Sequence, residues 1–188
     1  MTEKTQGSRT EIRLAGEGGQ GMILAGIILA EAAAIYDGKQ VVQTQSYGPE
    51  ARGGASKAEV VIADGLIDHP EVLSADAVVA LSQEACDKYA SSLKPGGLLI
   101  VDGEKVNRVA GLDAVRIPIS RLALETTGKS ITTNVVALGV LVGLTGVVSR
   151  QAIEKAVAGR APQGTEEVNR KALEAGFAAA GELNRPRG

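Results

Sequence analysis

Six residues, Gly16-Glu17-Gly18-Gly19-Gln20-Gly21, lie between a short apolar segment at 12–15 and a long aliphatic run at 22–35. A glycine-rich turn that leaves a strand and opens a helix lets the backbone come close to a phosphate, and the unpaired N–H groups of the helix start then face the anion. Glycine alone tolerates both the φ angles and the close approach. A second cluster follows the next strand, Ser46-Tyr47-Gly48-Pro49-Glu50-Ala51-Arg52-Gly53-Gly54-Ala55-Ser56. It offers the planar guanidinium fork of Arg52 to a phosphate or carboxylate. Gly53 and Gly54 permit a ligand or another chain to approach. Taken alone this loop reads as a surface turn with a solvated Glu50/Arg52 pair. Two glycine loops on one edge of an α/β sheet instead mark the crevice in which such folds bind ligands.

A dinucleotide fold would also carry an acidic residue about 20 residues beyond the glycines, at the end of the second strand, to hold a ribose hydroxyl. Here that strand, Gln40-Val41-Val42-Gln43-Thr44-Gln45, exits on glutamines, and Asp37 precedes it in an Asp37-Gly38 turn. The fold type is therefore expected without the NAD-specificity element. A stand-alone nucleotide-binding oxidoreductase using NAD or flavin stays as an alternative, as does a module with no ligand of its own.

The elements that must position these loops follow from hydrophobic patterning. Apolar runs with the length of doubly buried strands occur at 12–15, 41–45, 58–62, 77–81, 98–101 and 114–117. Helical patterns occupy 19–36, 83–93, 121–126, 134–145, 150–157 and 166–182. Alternating strands and helices predict an α/β fold, a Rossmann-like, mostly parallel sheet with helices on both faces and a helical C-terminal third. Lys94-Pro95-Gly96-Gly97 reads as a turn. The 134–145 helix is apolar on nearly every side and has to be enclosed. Its Ala137, Gly139 and Gly143 would let another backbone pack closely, within the domain or across a subunit boundary.

A chain of 188 residues fits one domain, expected at 11–188 behind a flexible polar leader at 1–10. With one Phe and no Trp, the core must be aliphatic, and base stacking is not an available binding mode. The net charge of −2 provides no field for nucleic acid or an anionic membrane. The glycine-interrupted apolar stretch at 135–148 is shorter than the roughly 20 residues of a membrane span. The leader lacks an apolar signal segment, and a single cysteine, Cys86, allows neither an internal disulfide nor a cluster ligand set. Together these features point to the cytoplasm.

Other chemically capable residues have simpler roles. His69, the sole histidine, has no second ligand beside it. Cys86 falls on a predicted helix as a small apolar residue. Asp102-Gly103 is a turn signature. Asn134, after Thr132 and Thr133, belongs to a helix N-cap. Glu166 and Glu167 with Arg170 and Lys171 have the spacing of an exposed helix face.

Taken together, GEGGQG, SYGPEARGG, ADAVVALSQEA and ITTNVVALGVLVG, in this order over residues 12–176, resemble the gamma subunit of 2-oxoacid:ferredoxin oxidoreductases, most closely that of a 2-oxoglutarate enzyme. The resemblance implies an accessory subunit of a complex that decarboxylates a 2-oxoacid oxidatively, passes the acyl group to coenzyme A and sends electrons to ferredoxin. Pyruvate, branched-chain 2-oxoacids and indolepyruvate stay open as substrates. It implies partners, the thiamine-diphosphate-binding alpha and beta subunits, with a ferredoxin-like delta subunit as a further one. Thiamine diphosphate, magnesium and the iron–sulfur clusters would reside on those chains, since this one has neither the cysteines nor a thiamine motif. The isolated chain is expected to be inert, with no catalytic or metal-binding residue, and its partner surface could support self-association. Coenzyme A would lie near the interface. The site residues expected from this likeness are Gly16, Gly18, Gly19, Gln20 and Gly21 as a docking loop. Arg52 would contact phosphate or carboxylate, with Tyr47, Glu50, Gly53 and Gly54 shaping the second loop.

Overall fold

The computed structural model describes residues 8–47 and 54–183. The chain runs β1 (Arg9–Gly16), α1 (Met22–Glu31), β2 (Gln40–Ser46), β3 (Ser56–Ala63), β4 (Ala75–Ala80), α2 (Gln83–Tyr89), β5 (Leu93–Asp102), β6 (Val115–Ile117), α3 (Ile119–Thr127), α4 (Thr133–Thr145), α5 (Arg150–Arg160) and α6 (Glu166–Leu183). The expected α/β architecture is present. Six strands form one sheet in the order β2-β3-β1-β4-β5-β6, and β1, β4, β5 and β6 are mutually parallel. β3 runs antiparallel to both β1 and β2, so five of the six strands share one direction. The insertion of β3 between β1 and β2 departs from the nucleotide-binding arrangement, in which the second strand lies beside the first. It also brings the starts of β3 and the ends of β1 and β2 to one sheet edge, with Gly16 opposite Ser56 and Ser46 opposite Lys57.

Both faces are covered. Alternate strand residues Ile12, Leu14, Val60, Ile62, Val79 and Ile100 point toward α1, α3, α4, α5 and α6, where the larger core lies. The intervening residues Ala15, Val61, Val78, Ala80 and Val101 meet Ala85 and Cys86 of α2. This period of two is what places helices on each side of a single sheet. Local boundaries differ in instructive ways. β1 begins at Arg9, within the stretch expected as leader. The 94–97 segment is not a free turn but an irregularity inside β5: Ala75 pairs with Leu93 and Ala77 with Leu98, and Gly96 takes a φ of 77° to absorb the extra residues. α1 starts at Met22 and ends in a π-turn at Ala32–Tyr36.

α4 is enclosed within the domain. It crosses α6 so closely that a Cβ on Gly139 would overlap the Leu173 carbonyl oxygen, and one on Gly176 would overlap that of Val136. Gly143 similarly lies against Ala180, whose Cβ would be 2.7 Å from an added methyl. The small residues of α4 thus admit the backbone of α6 from the same chain.

On the α2 side, β1 and β3 bury an ion pair. Arg13 and Glu59 are directly opposite in the register, and the Arg13 Nε donates to Glu59 Oε1 at 2.8 Å. The guanidinium also donates to Ser92 and to the Val72 carbonyl and lies 5.6 Å from the Tyr89 ring centroid. Lys57 Nζ adds a second cation 2.9 Å from Glu59. Burial pushes the Glu59 carboxyl up, but hydrogen bonds and charge from Lys57 and Arg13 outweigh it and hold the group below its ordinary value.

Candidate functional site

The glycine loop is held by its own glutamine. Gln20 N–H donates to the Glu17 carbonyl at 3.2 Å, and the side chain folds back so that Oε1 accepts from Glu17 N–H at 2.7 Å. Its Nε2 donates to the Leu81 carbonyl at 3.2 Å, which pins the loop to the end of β4. A Cβ on Gly16 would displace that Gln20 oxygen, so a side chain here would pull the glutamine from its bonds to the loop. Gly19 and Gly21 take φ values of 91° and 72°, a region that side-chain-bearing residues rarely adopt. Gly21 is the N-cap of α1 and supplies no side chain to the first-turn N–H groups.

Asn134 stands in the first turn of α4 instead of at its N-cap, which is Thr132. It serves the loop: Nδ2 donates to the Gly21 carbonyl at 3.3 Å while Oδ1 accepts from Val135 N–H at 2.9 Å. A methyl on Gly21 would lie 2.7 Å from that amide nitrogen. Ser56 Oγ donates to the Gly16 carbonyl at 3.2 Å, tying the base of the second loop to the first.

A cleft of about 650 Å³ opens beside the loop. Of the expected site residues it brings together Gly18, Gly19, Gly21 and Tyr47. Gly16 and Gln20 lie beneath the loop as its support, and Gly54 stands before β3 without lining the cleft. Glu50, Arg52 and Gly53 lie outside the described residues. The other walls come from far along the chain. The outer face of α1 supplies Ile23, Leu24 and Ile27, the α3–α4 connection Lys129 and Ile131, and the junction of α5 with α6 Arg160, Ala161, Pro162, Thr165, Val168 and Asn169. Leu24, Tyr47 and Ile131 are 41%, 70% and 75% exposed, an apolar concentration unusual for a surface left to water.

Sequence reasoning misses Lys129, Ile131, Arg160 and Val168 because each lies in or beside a connection whose position depends on the packing of α4 and α6. Arg160 is held at the rim by Glu31, with Nε 2.9 Å from a carboxylate oxygen. The Arg160 hydrogen bond is the main cause that lowers the Glu31 carboxyl. Among the described lining residues there is no histidine, cysteine or carboxylate. The arrangement can bind through apolar walls, backbone N–H groups and two cationic side chains, but it presents no acid–base pair for proton transfer.

Asp102, Cys86 and Asp37 have structural roles. Asp102 is fully buried and accepts the N–H groups of Glu104 and Ser120, closing the turn and starting α3. Cys86 is buried, and desolvation raises its thiol pKa above the ordinary value. Asp37 accepts the N–H and hydroxyl of Ser149 at 2.7 Å, so it anchors the start of α5 and is not directed at a ribose position. Among the described residues no helix is long and apolar enough to cross a membrane.

Comparison with known proteins adds an independent line. The sequence model of the pyruvate ferredoxin/flavodoxin oxidoreductase family matches residues 11–179. The chain is 50% identical over 187 residues to the 2-oxoglutarate synthase subunit KorC of Methanocaldococcus jannaschii, spanning 97% of this chain and 100% of that one. Among solved structures, the keto/oxoacid ferredoxin oxidoreductase gamma subunit of Geobacter sulfurreducens has a TM-score of 0.86 at 52% identity, over 93% of this chain and 98% of that chain. The 2-oxoglutarate:ferredoxin oxidoreductase of Magnetococcus marinus, solved with 2-oxoglutarate, coenzyme A and succinyl-CoA bound, gives a TM-score of 0.83 at 26% identity. That match covers 97% of this chain but 32% of the longer polypeptide.

Proposed function

The chain belongs to the pyruvate ferredoxin/flavodoxin oxidoreductase family as a gamma-type subunit of a 2-oxoacid:ferredoxin oxidoreductase, and from that premise we propose that it serves the enzyme that acts on 2-oxoglutarate. The full-length likeness to the Methanocaldococcus jannaschii subunit supports this substrate. In the net reaction 2-oxoglutarate loses carbon dioxide, its succinyl group is transferred to the sulfur of coenzyme A, and two electrons pass through iron–sulfur clusters to ferredoxin.

The chemistry of this chain suits a supporting part. Cluster ligation takes several thiolates, and Cys86 is alone and buried. The clusters and thiamine diphosphate therefore belong on the alpha, beta and, where present, delta partners. The observation that carries the reading is the open apolar cleft joined to the glycine loop. A face of α1 that the described residues leave open, next to backbone N–H groups and the cationic Lys129 and Arg160, is suited to complete a site at a subunit interface. Coenzyme A, with anionic phosphates and a less polar arm, fits both kinds of wall. Gly18, Gly19 and Gly21 would approach the phosphates, Arg52 would pair with one, and Tyr47 would pack against the partner.

Anoxic purification of this chain from its own cells tests the reading. Thiamine- and iron-bearing partners should be recovered together with viologen reduction that requires both 2-oxoglutarate and coenzyme A, while the chain alone should be inert. Preference for pyruvate or a branched-chain 2-oxoacid would overturn the substrate, and recovery without partners would overturn the subunit role. An Arg52→Ala variant that assembles normally should show a raised Michaelis constant for coenzyme A. An unchanged constant removes Arg52 from that contact.

A further inference from the structure

The two edges of the sheet are built differently. β6, at one edge, has three residues, and its Arg116 reaches the Val106 carbonyl. A short strand bearing a charge is one of the usual ways to blunt a sheet edge. β2, at the other edge, has seven residues, Gln40-Val41-Val42-Gln43-Thr44-Gln45-Ser46, with no charge and no proline. It pairs with β3 residue for residue from Gln40↔Ala63 to Ser46↔Lys57 without a bulge. Among the described residues nothing pairs with its outer edge. A straight, regular, uncharged edge strand of this length is a template for another strand.

We propose that β2 pairs antiparallel with β2 of a second copy of this chain, about a two-fold axis through Gln43, to give a continuous twelve-stranded sheet across two subunits.

The sequence of the edge favours a second copy over a foreign strand. A two-fold contact brings the same patch against itself, so a charge at its centre would meet its like. Across Gln40–Ser46 there is none. Centred on Gln43, the register sets Val42 against Thr44, Val41 against Gln45 and Gln40 against Ser46. The flanking Lys39 then falls opposite Tyr47 of the other copy, on the same face of the sheet because both positions are odd-numbered like Gln43. That pairing brings an ammonium to a ring that is otherwise 70% exposed. At the axis the two Gln43 amides can hydrogen-bond to each other, since each offers both donor and acceptor. Tyr47 also lines the cleft, so the edge contact adjoins the face of α1 proposed for the thiamine-bearing partner.

The on-axis residue makes a decisive test possible, because a single substitution there meets itself. The full-length chain should sediment as a concentration-dependent dimer. Gln43→Lys and Gln43→Glu should each weaken dimerisation by about tenfold or more through like charges at the axis. An equimolar mixture of the two should recover a heterodimer at least as tight as wild type, with far-UV circular dichroism unchanged in every sample. A wild-type chain that stays monomeric at high micromolar concentration overturns the proposal. A dimer that neither substitution weakens places the contact elsewhere. Loss in both variants without recovery in the mixture refutes the register.

Discussion

In α4 every residue from Thr133 to Val142 is buried by the chain itself. α1 is equally apolar along Met22–Glu31, yet Leu24 is 41% exposed and Ile23 and Ile27 are only partly covered. An all-round apolar helix has to be enclosed. The fold meets that demand for α4 by packing Gly176 of α6 against Gly139, and among the described residues leaves it unmet on one side of α1. The difference separates a helix whose composition is explained by folding from one whose composition is explained by what the folded protein meets. It is the ground for proposing function on the outer face of α1, beside the glycine loop that precedes it.

The sharpest way to break that contrast is to deny α4 its enclosure. A side chain on Gly139 or Gly176 would overlap backbone carbonyl oxygens of the facing helix, which cannot swing aside as a flexible side-chain tip can. Gly176→Leu should abolish folding, and Gly176→Ala should cost about 3 kcal/mol or more, at the upper end of overpacking effects. Chemical denaturation followed by circular dichroism measures both. A Gly176→Leu chain with native stability would show that α4 does not depend on this crossing.

The Arg13–Glu59 pair is the polar counterpart of α4, a feature closed entirely by the chain. Breaking such a pair leaves an uncompensated buried charge at a cost of about 3–5 kcal/mol, so Glu59→Gln should lower the melting temperature clearly at pH 7. The pH profile sharpens this. Glu59 and Glu11 are both held below their ordinary value near 4.5. Their contribution is therefore fully present above that pH and disappears as pH falls through the lower folded-state values. Thermal stability should decline below about pH 4.5, and the decline should be shallower in Glu59→Gln. An identical slope would mean that the pair does not link folding to protonation.

The open face of α1 should behave in the opposite manner. Leu24→Ser and Ile131→Asp alter side chains that stand partly and mostly in water, so the isolated chain should lose no more than about 1 kcal/mol of stability. Association with the catalytic subunits should weaken by about 30-fold or more if these residues anchor the interface. Quantitative pull-down against the wild-type chain, with melting curves in parallel, reads both quantities. Lost stability with intact assembly would make α1 a second α4 and remove the distinction.

The uneven legibility of the sequence follows the same division. The glycine loop, the enclosed α4 and the helical C-terminal third rest on local pattern, namely spacing of glycines, unbroken apolar runs and helical periodicity. The insertion of β3 between β1 and β2 does not, because Ala58-Glu59-Val60-Val61-Ile62 reads as a buried strand in either direction. Its orientation is decided by pairing with β1, and the Arg13–Glu59 contact follows only from that register. The Lys94–Gly97 turn signal is real, but β5 pairs with β4 before it at Leu93 and again from Leu98 to Val101, which absorbs it as an irregularity. The cleft walls at Ile131, Arg160 and Val168 depend on where three helix connections meet.

Asn134 is the point at which the two helices meet, and it provides the smallest and most specific test. Its amide joins the first turn of α4 to the Gly21 carbonyl at the start of α1, so the enclosed helix sets the position of the loop that faces the cleft. Asn134→Ala removes the long hydrogen bond to Gly21 and the local one from Val135 N–H, and should cost about 1–2 kcal/mol of stability. The same change frees the α1 N-terminus from α4, so assembly or coenzyme A affinity should suffer more than folding does. Asn134→Asp should be worse than alanine, because it replaces the donor with a carboxylate beside a carbonyl oxygen while keeping the shape. If alanine and aspartate behave alike in the complex, Asn134 acts by filling space, and the coupling between enclosed and open helix does not run through its amide.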